Sequence, residues 1–288
     1  MNTSYRRVCL VGAGLIGGSW GLALKRSGFS GRIVAYDLPQ VLDRALVLGA
    51  IDESSPDLAA AVKGADLVIL AAPVGAIVDQ LPQVKAAAGT RALVTDTGST
   101  KRAIVERARE IFGEAPLFLG GHPVAGKERS GIENSSATLF EATRYVLTPL
   151  SPEHLEDERV EAFRRLVKGV GAEPFVIGAD AHDRVLAFLS HLPQLLATSL
   201  AGVVAEESGR HALPLELAAA GFRDMTRLAE SPFGVWRDVC ATNADNLRPA
   251  LEALIRKLEA MKGQLDNGGL EAEFEGAQRL RAQWRVSR

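Results

Sequence analysis

Three stretches of this 288-residue chain hold residue types and spacings suited to chemistry. Gly12-Ala13-Gly14-Leu15-Ile16-Gly17 follows an apolar run and opens a helical pattern. Glycine at those three positions allows a tight turn, close approach of backbone to a pyrophosphate, and close packing of helix on strand. The next apolar run, Arg32–Tyr36, is followed by Asp37, at the spacing where a carboxylate accepts hydrogen bonds from an adenosine ribose. A carboxylate there also repels a 2′-phosphate, and no Arg or Lys stands among residues 38–41. The pattern therefore predicts NAD rather than NADP, held by Gly12, Ala13, Gly14, Leu15, Ile16, Gly17 and Asp37. Ala72 and Pro73 close the run 67–72, where open α/β sheets place the ligand cleft. They join the expected cofactor contacts, and a strand ending at a turn proline explains them equally well. The other two stretches are Thr95-Asp96-Thr97-Gly98-Ser99-Thr100-Lys101 and Gly120-Gly121-His122-Pro123-Val124-Ala125-Gly126. Both end apolar runs and so open onto the same cleft. His122 stands among glycines and a proline with little apolar surface to fill, which favours function over packing.

These residues need a scaffold that gathers strand ends. Apolar, β-rich runs recur at Arg7–Val11, Arg32–Tyr36, 67–72, 92–95, 117–119 and 145–147, separated by helical patterns at 16–27, 40–48, 75–88 and 101–112. Strands apolar throughout, alternating with helices, predict a doubly wound α/β fold whose parallel sheet is covered on both faces. A helix over 153–168 and a strand over 174–177 close this part, giving a Rossmann dinucleotide-binding domain at 1–178. From Ala179 onward the pattern is helical, punctuated by Gly209, Pro214, Pro232 and the turn Asn267-Gly268-Gly269, and predicts an all-helical domain at 179–288. Leu247, Leu251, Leu254, Leu258, Met261 and Leu265 form an a/d seam. Its least role is a core helix of a bundle, and the fuller expectation is a homodimer interface built from these helices.

Composition narrows the class. With 47% apolar residues, 24% charged residues and a formal net charge of -2, the chain can bury a core and lacks the basic balance of a nucleic-acid or membrane-surface binder. Arg6 and Arg7 precede a charge-free run over 8–24 that superficially resembles a secretory signal, yet the run holds five glycines, which weaken an apolar helix. The expectation is a cytoplasmic protein. Cys9 and Cys240 are too few for a disulfide framework, and the histidine spacings suggest no metal. His154, His182 and His211 have no supporting context and read as surface or helix residues.

Further motifs follow: Ser190-His191-Leu192-Pro193, Gly221-Phe222-Arg223-Asp224-Met225-Thr226-Arg227 and Trp236-Arg237-Asp238. With the two strand-end motifs, they give the chain, over nearly its whole length, a resemblance to the prephenate/arogenate dehydrogenase (cyclohexadienyl dehydrogenase) family of tyrosine biosynthesis. The glycine turn fits any Rossmann dehydrogenase, whereas G-G-H-P-x-A-G, S-H-L-P and G-F-[KR]-D-x-T-R in this order are specific. The resemblance implies NAD-dependent oxidative decarboxylation of prephenate to 4-hydroxyphenylpyruvate, of arogenate to tyrosine, or of both. Hydride leaves a 4-hydroxycyclohexadienyl ring, and CO2 is lost as the ring becomes aromatic. It implies His122 as the base, since a neutral imidazole with an ordinary pKa of ~6.5 can take the hydroxyl proton at neutral pH. Ser99 would hydrogen-bond that imidazole or the substrate hydroxyl. Arg227 would be the fork for a substrate carboxylate, with Arg223 four residues earlier on the same helical face, His191 in the pocket and Glu128 at its entrance. Gln194 departs from the pattern, because many relatives carry a second histidine there.

Two other classes fit parts of the sequence. A β-hydroxyacid dehydrogenase or imine reductase also joins a Rossmann domain to a helical half, but relies on a lysine in that half. A non-enzymatic NAD-sensing dimer needs the glycine turn and neither a base nor a carboxylate-binding arginine.

Overall fold

A computed structural model of the protein describes residues 5–113, 115, 117–266 and 268–286. Among them, strands β1 (Arg7–Val11), β2 (Arg32–Tyr36), β3 (Glu53–Ser55), β4 (Leu67–Leu70), β5 (Leu93–Asp96), β6 (Phe118–Pro123), β7 (Arg144–Pro149) and β8 (Glu173–Val176) form one sheet in the order β3-β2-β1-β4-β5-β6-β7-β8. Helices α1 (Leu15–Arg26), α2 (Pro39–Val47), α3 (Leu58–Val62), α4 (Val74–Ala87) and α5 (Arg102–Phe112) follow the first five strands in turn, and α6 (Glu158–Gly169) joins β7 to β8. This is the doubly wound Rossmann pattern.

Successive residues of one strand feed opposite faces. Val8, Leu10, Leu67 and Ile69 join a core with Trp20, Tyr145 and Phe163, while Cys9, Val11, Val68 and Leu70 join a second core with Ile77, Leu81 and Phe118. Burial on both faces is why these strands read as unbroken apolar runs.

The structure corrects four expectations. The sheet is not wholly parallel, because β7 runs antiparallel to β6, with His122 opposite Val146. The chain leaves β6 at its cleft end, passes through residues 124–143 and starts β7 beside the point where it left, where Val124 N–H donates to the Arg144 carbonyl. β3 and α3 lie where no element was expected: β3 is short and polar, held by pairing with β2, and the Asp57 side chain caps α3 by accepting the Ala60 N–H. The single helix over 153–168 is split, with a 3-10 turn at Pro152–Glu156 and α6 beginning only where the Asp157 carboxylate accepts the Arg159 N–H. His154, in that turn, is buried rather than at the surface.

The helical region begins with α7 (Ala179–Leu186), a π-helical segment Ala187–His191, and α8 (Leu192–His211). Pro193 has no N–H to donate back into the helix, and the wider π turn precedes it, a local irregularity that often marks a functional site. By length and composition the run Ala179–His211 could cross a membrane, but it also carries His182, Asp183 and His191 fully inside the fold. His211, at its end, is exposed. Next come α9 (Ala220–Thr226), a 3-10 turn Arg227–Glu230, and α10 (Phe233–Thr242). Compactness groups the chain through Ala244 into one unit and Asp245–Arg288 into another. The second unit consists of the rest of α11 (Ala244–Gly263) and α12 (Glu271–Val286), tied together by a Lys257–Glu273 ion pair. Of the expected seam, Leu258 is 50% exposed, and Leu265 lies beyond the end of α11 and is 65% exposed. Asn267 of the expected turn lies outside the described residues.

Candidate active site

The ends of four strands and the first unit's helices enclose a cleft of about 540 Å³. Gly14 comes from the end of β1, Ala72 and Pro73 from β4, Ser99 from β5 and His122 from β6; across from them stand His191, Gln194, Arg227 and Trp236. The cleft thus lies over the carboxyl ends of the strands, as in other open α/β sheets.

One end of it is built from backbone. Gly12 has φ +98°, and a Cβ there would stand 2.4 Å from the Ala71 carbonyl oxygen; at Gly17 a Cβ would stand 1.9 Å from the Gly12 oxygen. Gly14 differs, because a Cβ there would meet nothing within 4 Å. It is the N-cap of α1, no side chain caps that helix, and the first-turn N–H groups are available to an anion in the open space above. Leu15 and Ile16 also line this end, whereas Ala13 is buried beneath it. Asp37 fastens the turn from β2: its carboxylate accepts the Ala13 N–H at 2.7 Å and the Leu38 N–H at 2.6 Å. It does not cap α2, whose N-cap is Leu38. The residues fit a dinucleotide, with a cradle for the pyrophosphate and a carboxylate beside it for the ribose.

The other end is built from buried side chains. His122 Nδ1 lies 2.9 Å from His182 Nε2, and His182 Nδ1 lies 2.7 Å from Asp183 Oδ1. Asp183 also accepts the Lys101 N–H at 2.7 Å and the Arg102 N–H at 3.0 Å, capping α5. Burial alone would raise the Asp183 carboxyl; hydrogen bonds from His182, Arg102 and Lys101 outweigh it and hold the carboxyl below its ordinary value. Burial pushes His122 well below the usual imidazole value, and neighbouring His182, Lys101 and His191 push the same way. Burial likewise lowers His182, opposed by its bond to Asp183. Both rings are therefore neutral at neutral pH. The Lys101 ammonium is fully buried, paired with Asp96, and donates to the Gly121 carbonyl at 2.8 Å. Asp96 in turn accepts the N–H groups of Gly98 and Gly121, so this ion pair locks together the two strand ends that carry Ser99 and His122. Among the described residues no three His, Cys, Asp or Glu side chains gather as metal ligands do.

His191 is buried, and its ring meets Trp236 edge-on at 5.9 Å. Asn243 Nδ2 donates to the Asp183 carbonyl, which fixes its amide, and stands 3.1 Å from His191 Nδ1. Nδ1 is thus the acceptor, and Nε2–H, which has no hydrogen-bond partner among the described residues, is a donor in the cleft wall. Desolvation lowers His191 to about 4, with His182 adding to the shift and Asp183 opposing it. Gln194 lines the same wall and donates to the Leu228 carbonyl at 2.8 Å.

Arg227 forms an ion pair with Glu128 at the rim, and both line the cleft. Arg223 is not brought there. It is exposed beside Asp224 and borders a separate shallow depression that Arg227 also borders; α9 ends at Thr226 and Arg227 starts a 3-10 turn, and of the two arginines Arg227 alone lines the cleft. Ser99 lines the cleft beside His122, but His122 Nδ1 is taken by His182, so no serine–imidazole bond orients the ring through that nitrogen. His182 corrects an expectation: it is neither a surface nor an isolated helix residue. Its signal in the sequence was the adjacent pair His182-Asp183, which alone does not show what lies against it.

The chain is similar to known proteins in sequence and fold. Residues 20–176 match the family described as prephenate dehydrogenase, nucleotide-binding domain, and residues 178–278 match prephenate dehydrogenase, dimerization domain. The prephenate dehydrogenase of Bacillus subtilis is 34% identical over 277 residues, spanning 95% of this chain and 74% of that protein. The cyclohexadienyl dehydrogenase of Zymomonas mobilis is 30% identical, over 97% of this chain and 96% of its own. Prephenate dehydrogenase from Aquifex aeolicus, solved in complex with hydroxyphenyl propionate and NAD+, superposes with a TM-score of 0.87 at 30% identity and covers all of both chains.

Proposed function

The chain belongs to the prephenate dehydrogenase family, and from that premise we propose that it catalyses the NAD-dependent oxidative decarboxylation of prephenate to 4-hydroxyphenylpyruvate in tyrosine biosynthesis. The observation that carries the reading is that one cleft holds a pyrophosphate cradle at Gly14, a neutral buried imidazole at His122 and a guanidinium at Arg227. Oxidation of arogenate to tyrosine is the second reading, favoured by the similarity to a cyclohexadienyl dehydrogenase.

Residues 12–17, Asp37, Ala72 and Pro73 would hold NAD, which when bound would supply the hydride acceptor for the hydroxyl-bearing ring carbon. Asp37 presents a negative charge where NADP would bring its 2′-phosphate, so NAD is preferred. His122 takes the hydroxyl proton as the carbon–hydrogen bond breaks, and Ser99 orients that hydroxyl. The carbon–carboxylate bond then breaks; its electron pair makes the ring aromatic and ends on the phenolic oxygen, to which His122 returns the proton. Arg227 binds a substrate carboxylate by a two-pronged charge-assisted bond, Glu128 releases it as substrate enters, and the His191 Nε2–H donates to a substrate oxygen. Arg223 stays outside the binding set in this conformation.

The boundary between cofactor and helical domains falls near residue 178, supported by the meeting point of the two matched families. The helical domain forms a homodimer, a reading supported by the dimerization-domain match and by exposed Phe188, Leu189 and Val203 on the first unit and Leu258, Phe274 and Leu280 on the second. Cytoplasmic location agrees with two free cysteines. Absorbance at 340 nm tests the activity: NADH forms with prephenate, arogenate or both, and no turnover with either rejects the reading.

A further inference from the structure

We infer that His182 and Asp183 act as positioning residues that hold His122 in the Nδ1–H tautomer, so that its Nε2 lone pair faces the reacting hydroxyl. The inference rests on the proposed role of His122 and adds two residues assigned no part in the reaction above.

The tautomers follow from the hydrogen bonds. An ionised Asp183 only accepts, so His182 Nδ1, 2.7 Å from Oδ1, carries the proton. Neutral His182 then has its lone pair on Nε2. That nitrogen lies 2.9 Å from His122 Nδ1, which must be the donor. His122 Nε2 is left unprotonated, on a ring that lines the cleft. Asp183 is itself fixed by the backbone N–H groups of Lys101 and Arg102. The rings meet edge-on, with centroids 5.1 Å apart and planes at 71°, so each presents a nitrogen in its own plane.

When His122 takes the substrate proton it becomes an imidazolium whose Nδ1–H still points at His182 and, beyond it, a carboxylate. The charged groups around this chain are Asp183 itself, the Lys101 ammonium and the Asp96 carboxylate paired with it; His191 is the other titratable neighbour. Lys101 opposes the imidazolium, and Asp183 stabilises it. Removing the Asp183 charge would move the acid limb of kcat/KM to lower pH, because a base losing a nearby anion binds its proton less tightly.

The test uses the full chain labelled with 15N-histidine, with the His122 signals assigned by their loss in His122→Asn. In the wild type, long-range 1H–15N spectra at pH 7.5 show His122 protonated at Nδ1. Asp183 Oδ1 accepts both the Lys101 N–H and the His182 Nδ1–H, and Oδ2 accepts the Arg102 N–H, so an Asn oxygen can stay on His182. Asp183→Ala instead removes the acceptor and frees the His182 ring, and His122 then shows a mixture of tautomers with Nε2 protonated in part. Asp183→Ala loses kcat by a factor on the order of 10^3, with KM little changed. His182→Gln, whose amide oxygen can accept the His122 proton, retains at least about tenfold more kcat than His182→Leu. Finding His122 protonated at Nε2 in the wild type overturns the inference, as does equal loss of kcat in the Gln and Leu variants. A wild type inactive with both substrates would reject the proposed function, while the spectra would still decide the tautomer.

Discussion

The two ends of the cleft are built from different materials. At the glycine turn, backbone does the work: Gly12 and Gly17 permit an approach that a Cβ would block, and Gly14 leaves open space. At the histidine end, side chains from β6 and α7 meet across sixty residues of sequence, anchored by backbone N–H groups at the start of α5 some eighty residues away, to orient one imidazole. A site made of backbone depends on a contiguous pattern, so one substitution there changes shape. A site made of a buried hydrogen-bonded chain depends on protonation, so one substitution there changes chemistry while leaving the cleft open.

The largest expected effect lies at the histidine end. His122→Asn removes the base and lowers kcat by about 10^2 to 10^4, with NAD affinity retained; steady-state kinetics with both substrates varied check this, and near wild-type turnover would dissolve the contrast between the ends.

The contrast also explains what could be read in advance. The glycine turn, Asp37, the boundaries of β1 and β2 and the change to helices after residue 178 all depend on local spacing, and local spacing is visible in a sequence. The antiparallel β7 was not visible, because its direction is set by the route of residues 124–143 rather than by its own apolar pattern. His182 was missed for the same reason, since its partner His122 is brought to it only by the fold. Arg223 and Arg227 share a motif, yet α9 ends between them and of the two only Arg227 lines the cleft. A regular helix was assumed where the chain tightens into a 3-10 turn.

A smaller effect follows from the buried rings. His191 has a folded pKa of about 4 against an ordinary 6.5, so the unfolded chain binds a proton below pH 6.5 that the folded chain refuses until near pH 4. Stability is present above that window and is lost as pH falls through it, by about 2 kcal/mol at pH 5 from this residue. Denaturant unfolding at pH 7.5 and pH 5 should show the loss, and His191→Gln should reduce it; an unchanged difference would contradict burial of a neutral ring. The smallest effect belongs to the backbone end. Gly14→Ala raises the KM for NAD by roughly tenfold, since the methyl enters the pyrophosphate space, yet leaves the melting temperature unchanged because nothing stands within 4 Å.

The central claim is that hydride and carboxylate leave one substrate in this cleft, with His122 taking the proton. The most direct measurement uses NAD and prephenate carrying deuterium at the hydroxyl-bearing ring carbon, with the reduced cofactor examined by mass spectrometry and CO2 collected. The account predicts one deuterium in each reduced nicotinamide and one CO2 per turnover. Unlabelled NADH, or NADH formed without CO2, would contradict it.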